Sequence, residues 1–224
     1  MSAAKRNTVR LEMPVSDAAL AALEQGDIVF LDGLIYTARE GVYRRVLEEG
    51  FDLPVDVSEI SNVNFHCSPA ASVRDDGSYN VGAVTATASF RFAKWLPAWF
   101  ALTGAKVIIG KGGMSEETYR REFVPRGARY LTTVGYGTGA LLGRGIKRTV
   151  GAHWIAELGN AQALWIFEVE NFGPFIVDSA ADGSSLFERS NRQLNARIDK
   201  LYEGLKPAAL GRYGETTSRK DEVI

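Results

Sequence analysis

Three cations stand where the sequence pattern begins or ends its elements, and their types suit one kind of chemistry. Arg39 closes the run Ile35-Tyr36-Thr37-Ala38, Arg91 follows Thr87 by four residues, and Lys111 sits inside Ile109-Gly110-Lys111-Gly112-Gly113-Met114. A guanidinium fork matches a carboxylate bidentately, and an ammonium supplies a point charge. Two arginines and a lysine around one pocket would suit a small dicarboxylate. Thr87, one helical turn before Arg91, would place a hydroxyl on the same helix face as the guanidinium. The competing readings are surface arginines held in ion pairs and a solvated lysine in a tight glycine turn. A P-loop is excluded: Gly104 and Gly110 enclose five residues instead of the motif's four, and Gly112 follows the lysine where Ser or Thr is required.

The elements that must position these residues are mixed. Lys106-Val107-Ile108-Ile109 reads as a short buried strand running into the glycine loop, with Ser115 as N-cap of a helix that opens on Glu116 and Glu117. Residues Met1 to Pro14 read as an extended arm. Ser16 or Asp17 caps a short helix that stops at Gly26. Ile28 to Leu31 and Leu34 to Thr37 read as two strands of a hairpin around Asp32-Gly33. A helix ends at Gly50, and Val63 to Cys67 is a strand broken by Ser68-Pro69. Asp75-Asp76-Gly77 is a turn before the strand Tyr79 to Val84. Thr85 to Ser89 opens a helix whose Trp95, Trp99 and Phe100 face a core. Tyr130 to Val134 is a strand followed by a helix through Lys147, and Ala163 to Val169 and Phe175 to Val177 are a last pair of strands. Leu186 to Leu205 is an amphipathic helix whose Leu194, Ile198, Leu201 and Leu205, with Tyr202, are expected in a core. The class is α/β or α+β. The expected division is an arm over residues 1–14, one domain over 15–206 and a flexible tail over 207–224.

Composition excludes several functions. With 224 residues, 26 Lys and Arg against 27 Asp and Glu, and 46% apolar residues, the chain is an ordinary soluble globular sequence with no basic field for nucleic acid or membrane. No apolar run is long enough to span a bilayer, and a cytoplasmic location is expected. Cys67 is the single cysteine, so neither an internal disulfide nor a cysteine-built metal cage is possible.

The ordered segments Gly26-Asp27-Ile28-Val29-Phe30-Leu31-Asp32-Gly33, Thr37-Ala38-Arg39-Glu40, Thr87-Ala88-Ser89-Phe90-Arg91, Ile109 to Met114, Glu157-Leu158-Gly159, Leu164 to Val169 and Phe172 to Phe175 carry a resemblance. Together they resemble the β subunit of class I iron–sulfur hydro-lyases, equivalent to the C-terminal domain of class I fumarases and to L(+)-tartrate dehydratase β subunits. The resemblance implies a swivelling β/β/α domain. It also implies an α subunit as partner, holding a [4Fe–4S] cluster through its own cysteines, with no metal ligand on this chain. The implied reaction is reversible hydration of a C4-type dicarboxylate. Arg39, Arg91, Lys111 and Gly112 would bind substrate, and Thr87, Arg91 and Lys111 would act in catalysis, Thr87 as the base.

The sequence also departs from the family. The usual Arg-Asp-x-x-His is here Arg39-Glu40-Gly41-Val42-Tyr43, and the second of two usual threonines is Ala88. Either the substrate differs or catalysis is altered, so a non-catalytic partner or regulatory module that retains the fold stays as an alternative. Tyr43 is next in line as base after Thr87. Gly135-x-Gly137-x-x-Ala140 admits a third reading, a dinucleotide-binding turn, although no acidic residue closes the next strand. His66 is read as a satisfied structural histidine, Cys67 as a small buried apolar residue, and His153 as packing or surface.

Overall fold

The computed structural model describes residues 7–135 and 137–204. Its main sheet has the order β1-β2-β3-β6-β7-β9-β8, with β2 also pairing to β9. The strands are β1 (Thr8–Glu12), β2 (Ile28–Thr37), β3 (Val63–Phe65), β4 (Cys67–Val73), β5 (Tyr79–Ala86), β6 (Val107–Gly110), β7 (Arg129–Thr133), β8 (Ile146–His153) and β9 (Leu164–Val177). Between them lie helices α1 (Asp17–Ala21), α2 (Glu40–Tyr43), α3 (Leu96–Thr103), α4 (Glu116–Thr118), α5 (Gly139–Arg144) and α6 (Ile155–Leu158), with α7 (Leu186–Tyr202) last. The architecture is mixed α/β.

Two long strands that each change partners close the sheet on itself. Along one side, β2 pairs with β1 through Asp32 and with β3 from Tyr36; its other side runs antiparallel to β9. Strand β9 pairs with β8 over Leu164–Val169 and with β7 over Phe175–Val177. The ring β2-β3-β6-β7-β9 is therefore barrel-like, with β1 and β8 flanking it and β4–β5 forming a separate antiparallel hairpin. Side-chain alternation divides the packing between the two faces of the sheet. Val107, Ile109 and Leu131 join the large cluster that holds Phe65, Phe172 and Phe175, while Ile108 and Tyr130 pack among Leu96, Phe100, Tyr119 and Phe123.

Several expectations are corrected by this pairing. Asp32-Gly33 is no hairpin: β2 runs straight through it, and the irregularity in its register at Leu31/Gly33 falls where one neighbour gives way to the next. Gly33, at φ +116, lies against Met13, whose amide donates to the Asp32 carbonyl. Asp32 spends its carboxylate on the Asn171 amide and Arg10 instead of on a turn. Thr8–Glu12, read as part of an extended arm, is a strand paired in parallel to β2. Ser68-Pro69 does not break a strand but lies within β4. The helix expected through Lys147 stops at Arg144, and Ile146–His153 is a strand. The last pair of strands is one strand of 14 residues.

Contacts divide the chain into two units, Met1–Arg189 and Ser190–Ile224. In the second, Leu194 and Ile198 are exposed and not core residues. The side chains of Leu201 and Tyr202, with Leu205 and the tail over 207–224, fall outside the described residues. Among the described residues no helix is long and apolar enough to cross a membrane.

Candidate functional site

Strands β2, β3, β6 and β7 are adjacent and parallel, so their carboxyl ends open on one edge of the ring. Arg39 lies two residues beyond β2, His66 and Cys67 directly follow β3, Lys111 directly follows β6, and Gly135 lies two residues beyond β7. Crevices outside the carboxyl ends of parallel strands are where open α/β sheets take ligands. The edge has two limbs.

The first limb carries the arginines. Arg39 precedes α2 in an extended conformation, and its Nη1 donates to the Ala161 carbonyl at 2.8 Å and to the Ser68 hydroxyl. Its Nε is buried without a partner among the described residues. Burial lowers its pKa from the usual arginine value, with Cys67 opposing that shift and Arg91 adding to it. Arg91 lies in a 3-10 segment, Ser89–Trp95, and pairs with Glu40 at 3.3 Å with both side chains about half exposed. Glu40, one of the departures from the family pattern, thus occupies the second arginine.

The second limb carries Lys111. Its amide donates to the Thr87 carbonyl at 3.1 Å, and Ala88 and Lys111 form an isolated parallel bridge. Gly112 adopts φ +68, a conformation in which glycine carries no penalty. Gly110 admits no side chain: an added Cβ would overlap the Ser89 hydroxyl and meet the Tyr130 hydroxyl at 2.7 Å. Gly113 is similarly closed, at 2.6 Å, by the Asp178 carboxylate. Asp178 accepts from the Tyr119 hydroxyl, the Ser185 hydroxyl and the Phe187 amide, and burial raises its pKa. The lysine loop is therefore wedged from both sides by buried polar groups.

A buried hydrogen-bonded chain links the limbs beneath the edge. Asn64 Nδ2 donates to the Tyr43 hydroxyl at 2.8 Å, and Tyr43 contacts His66 Nε2 at 2.6 Å. His66 Nδ1 lies 2.7 Å from the Ser89 hydroxyl, which also accepts from Tyr130 at 2.9 Å, and Tyr130 reaches the Lys111 carbonyl at 3.4 Å. With Asn64 donating to its oxygen, Tyr43 directs its proton to Nε2; the ring proton then sits on Nδ1 and is donated to Ser89. Burial lowers the His66 pKa from 6.5 to about 3, with Arg39 adding to the shift, so the imidazole is neutral. This is the satisfied structural histidine expected from the sequence, although its place in a chain from Tyr43 to Lys111 was not anticipated. The sequence signal for that chain is a tyrosine or serine wherever an apolar run meets a loop, which is too common to be read alone.

Two site expectations need correction. Thr87 does not begin a helix: Thr85 and Ala86 end β5, and the helical segment starts at Ser89. Thr87 and Arg91 therefore share no helical face, and Thr87 is held at 8% exposure by backbone bonds to His66 and Lys111. Tyr43 is no candidate base, because its ring is fully buried between Trp95 and Trp99 and burial raises its pKa well above the usual value. Cys67 is buried, and burial likewise raises its pKa. The Gly135–Ala140 turn does follow a parallel strand. It opens a helix of only six residues, however, and the strand after it, β8, runs antiparallel to β9, so the parallel βαβ unit of a dinucleotide site is missing.

A barrel-like α/β ring, with Arg39 and Lys111 just beyond the carboxyl ends of two of its parallel strands, is the class defined by this geometry. The family model described as "Fumarase C-terminus" matches residues 1–190, and the chain belongs to that family. It is 34% identical over 182 residues, 80% of this chain and 91% of the relative, to the "Putative L(+)-tartrate dehydratase subunit beta" of Methanocaldococcus jannaschii. To the L(+)-tartrate dehydratase subunit beta of Escherichia coli K12 it is 28% identical over 86% of this chain and 93% of the relative. The "Putative fumarate hydratase class I" of Geobacillus stearothermophilus is 27% identical over 89% of this chain, which spans only 37% of that longer protein.

Proposed function

We propose that this chain is the β subunit of a hydro-lyase that adds water to, or removes it from, a C4-type dicarboxylic acid together with an α subunit. The observation that supports this reading is that Arg39 and Lys111 lie just beyond the carboxyl ends of the parallel strands β2 and β6, with Arg91 paired to Glu40 next to Arg39 and Lys111 free of any ion pair among the described residues. In this reading the domain is of the swivelling β/β/α kind. Lys111 and the amide-rich glycine loop at Gly112 receive one carboxylate. Arg39 and Arg91 receive the other, Arg91 once Glu40 yields it. Their charge stabilises the negative charge that develops on the substrate as its proton leaves.

Thr87 is the proposed base. A threonine hydroxyl is far too weakly acidic to act alone, so its deprotonated form needs the nearby cations. The Lys111 amide, donating to the Thr87 carbonyl, fixes its main chain beside one of them.

The residues of this chain do not fit an iron–sulfur cluster. Cys67 is its single cysteine and is buried, and among the described residues no three His, Cys, Asp or Glu side chains form a metal-binding group. A [4Fe–4S] cluster in this reading belongs to the α subunit.

The test is turnover of fumarate, malate and tartrate by the chain reconstituted with an α-type subunit, with deuterium exchange at the substrate carbon. Lys111→Ala should lower kcat/KM on the order of 10²–10³-fold, as loss of one charge-stabilising donor does. Thr87→Val should abolish exchange while binding persists. Normal turnover in both variants would reject the assignment, and absence of turnover in the wild-type complex with substituted as well as unsubstituted dicarboxylates would favour a non-catalytic module.

A further inference from the structure

Beside Lys111 the strand edge opens into a cavity of about 730 Å³ between the lysine loop and the Gly135–Ala140 turn. Its walls include Phe90, Val134, Leu142, Ile176 and Phe187, and Lys111 is the one charged residue among the described residues that line it. The volume is far larger than a C4 dicarboxylate needs: even at a water's share of about 30 Å³ for each of about eight heavy atoms, that ligand fills about 240 Å³. It lies instead in the range of roughly 300–1,000 Å³ typical of sites for larger organic ligands. Thr85, Thr132, Thr133 and Thr138 also line it, and apart from them and Lys111 the lining side chains are apolar, so most of the wall can pack against a hydrocarbon group. Phe90 is 63% exposed, and Val134 and Phe187 are each 40% exposed, so apolar surface is held open to solvent at the mouth. Large exposed apolar side chains gathered around a concavity mark a binding surface. The single cation at the rim fixes the sign of what binds there.

We propose that this cavity receives the apolar substituent of a carboxylic acid whose carboxylate pairs with Lys111. The substrate class is then a dicarboxylate bearing an alkyl or aryl group, in place of unsubstituted fumarate, malate or tartrate. This rests on the hydro-lyase reading for the reaction, but the pocket itself is tested by binding alone. Binding of succinate and phenylsuccinate to the full chain is measured by calorimetry without any α subunit. Phenylsuccinate should bind about tenfold or more tightly than succinate, since each 1.4 kcal/mol is tenfold and a buried ring contributes more than that. Lys111→Met should weaken phenylsuccinate about tenfold or more. Phe90→Ser with Phe187→Ser, both changes at exposed side chains, should bring phenylsuccinate down to the affinity of succinate. Equal affinities in the wild type, or a preference untouched by the double variant, would overturn the pocket. So would a double variant that loses binding to the α-type subunit with phenylsuccinate affinity unchanged, because the apolar wall would then seat a protein. Faster turnover of fumarate than of its aryl-substituted counterpart would overturn the substrate class and leave the hydro-lyase reading intact.

Discussion

Arg91 and Lys111, on the two limbs of the candidate site, are held in opposite ways. Arg91 is half exposed on a 3-10 turn and paired to Glu40, so its position depends on a surface carboxylate. Lys111 has no ion pair among the described residues, yet its main chain is bonded to Thr87 and its neighbours Gly110 and Gly113 are closed by buried groups. One limb spends charge to hold a side chain. The other spends packing to hold a backbone and leaves the charge unspent. A charge that is already paired must exchange one carboxylate for another on binding, whereas an unpaired one exchanges only water.

The comparison is broken most directly at Gly110. Gly110→Ala drives a methyl group into the Ser89 and Tyr130 hydroxyls and should cost about 3 kcal/mol or more, at the upper end of overpacking effects. Denaturant midpoints measure it, and a near-neutral result would mean that the lysine loop is not wedged. Next in size is the buried chain under the arginine limb. Tyr43→Phe strips a partner from Asn64 and His66 and should cost about 1–3 kcal/mol for the groups left unsatisfied. The same chain has a pH signature. His66 has a folded pKa of about 3 against an ordinary 6.5, so the folded state binds fewer protons than the unfolded one between these values. Its contribution to stability is fully present above about pH 6.5 and is lost as pH falls toward 3. The slope of melting temperature against pH in that window should flatten in His66→Gln, and an unchanged slope would place the acid sensitivity elsewhere. The smallest change is Glu40→Gln, which frees Arg91 at about 0.2–1 kcal/mol of stability, the range of an exposed ion pair. Its effect should be read in KM of the reconstituted complex, which falls if Glu40 competes with substrate for the guanidinium.

What the sequence made legible follows from where the relevant forces act. The strand–glycine–lysine segment was readable because Val107 to Gly113 combines β-branched residues, conformationally free glycines and a cap at Ser115, all local. Thr87 and Arg91 were wrongly placed on one helix because Thr85 and Ala86 pair with Ser68 and Cys67, a partner distant in sequence. Asp32-Gly33 carries every local mark of a hairpin, but β1 and β3 both need the same side of β2, and one long strand serves both. Ile146 and Lys147 read as the end of a helix, whereas β9 makes them the start of a strand. The positions of Arg39 and Lys111 just beyond strand ends were legible from the local pattern; the cavity beside Lys111 was not, because its walls come from β5, β7, α5 and the start of α7.

Strand β9 also sets the order in which the molecule can be assembled. Its 14 residues seal β2, made some 130 positions earlier, to β7. Until they emerge from the ribosome, the facing margins of β2 and β7 are unpaired and Phe65 and Leu131 lack a lid. Contacts so far apart along the chain form slowly, because the loop between them must be closed before any stabilisation returns. The segment from Leu164 to Val177 is therefore the seam of the ring, and no earlier strand among the described residues closes it between β2 and β7.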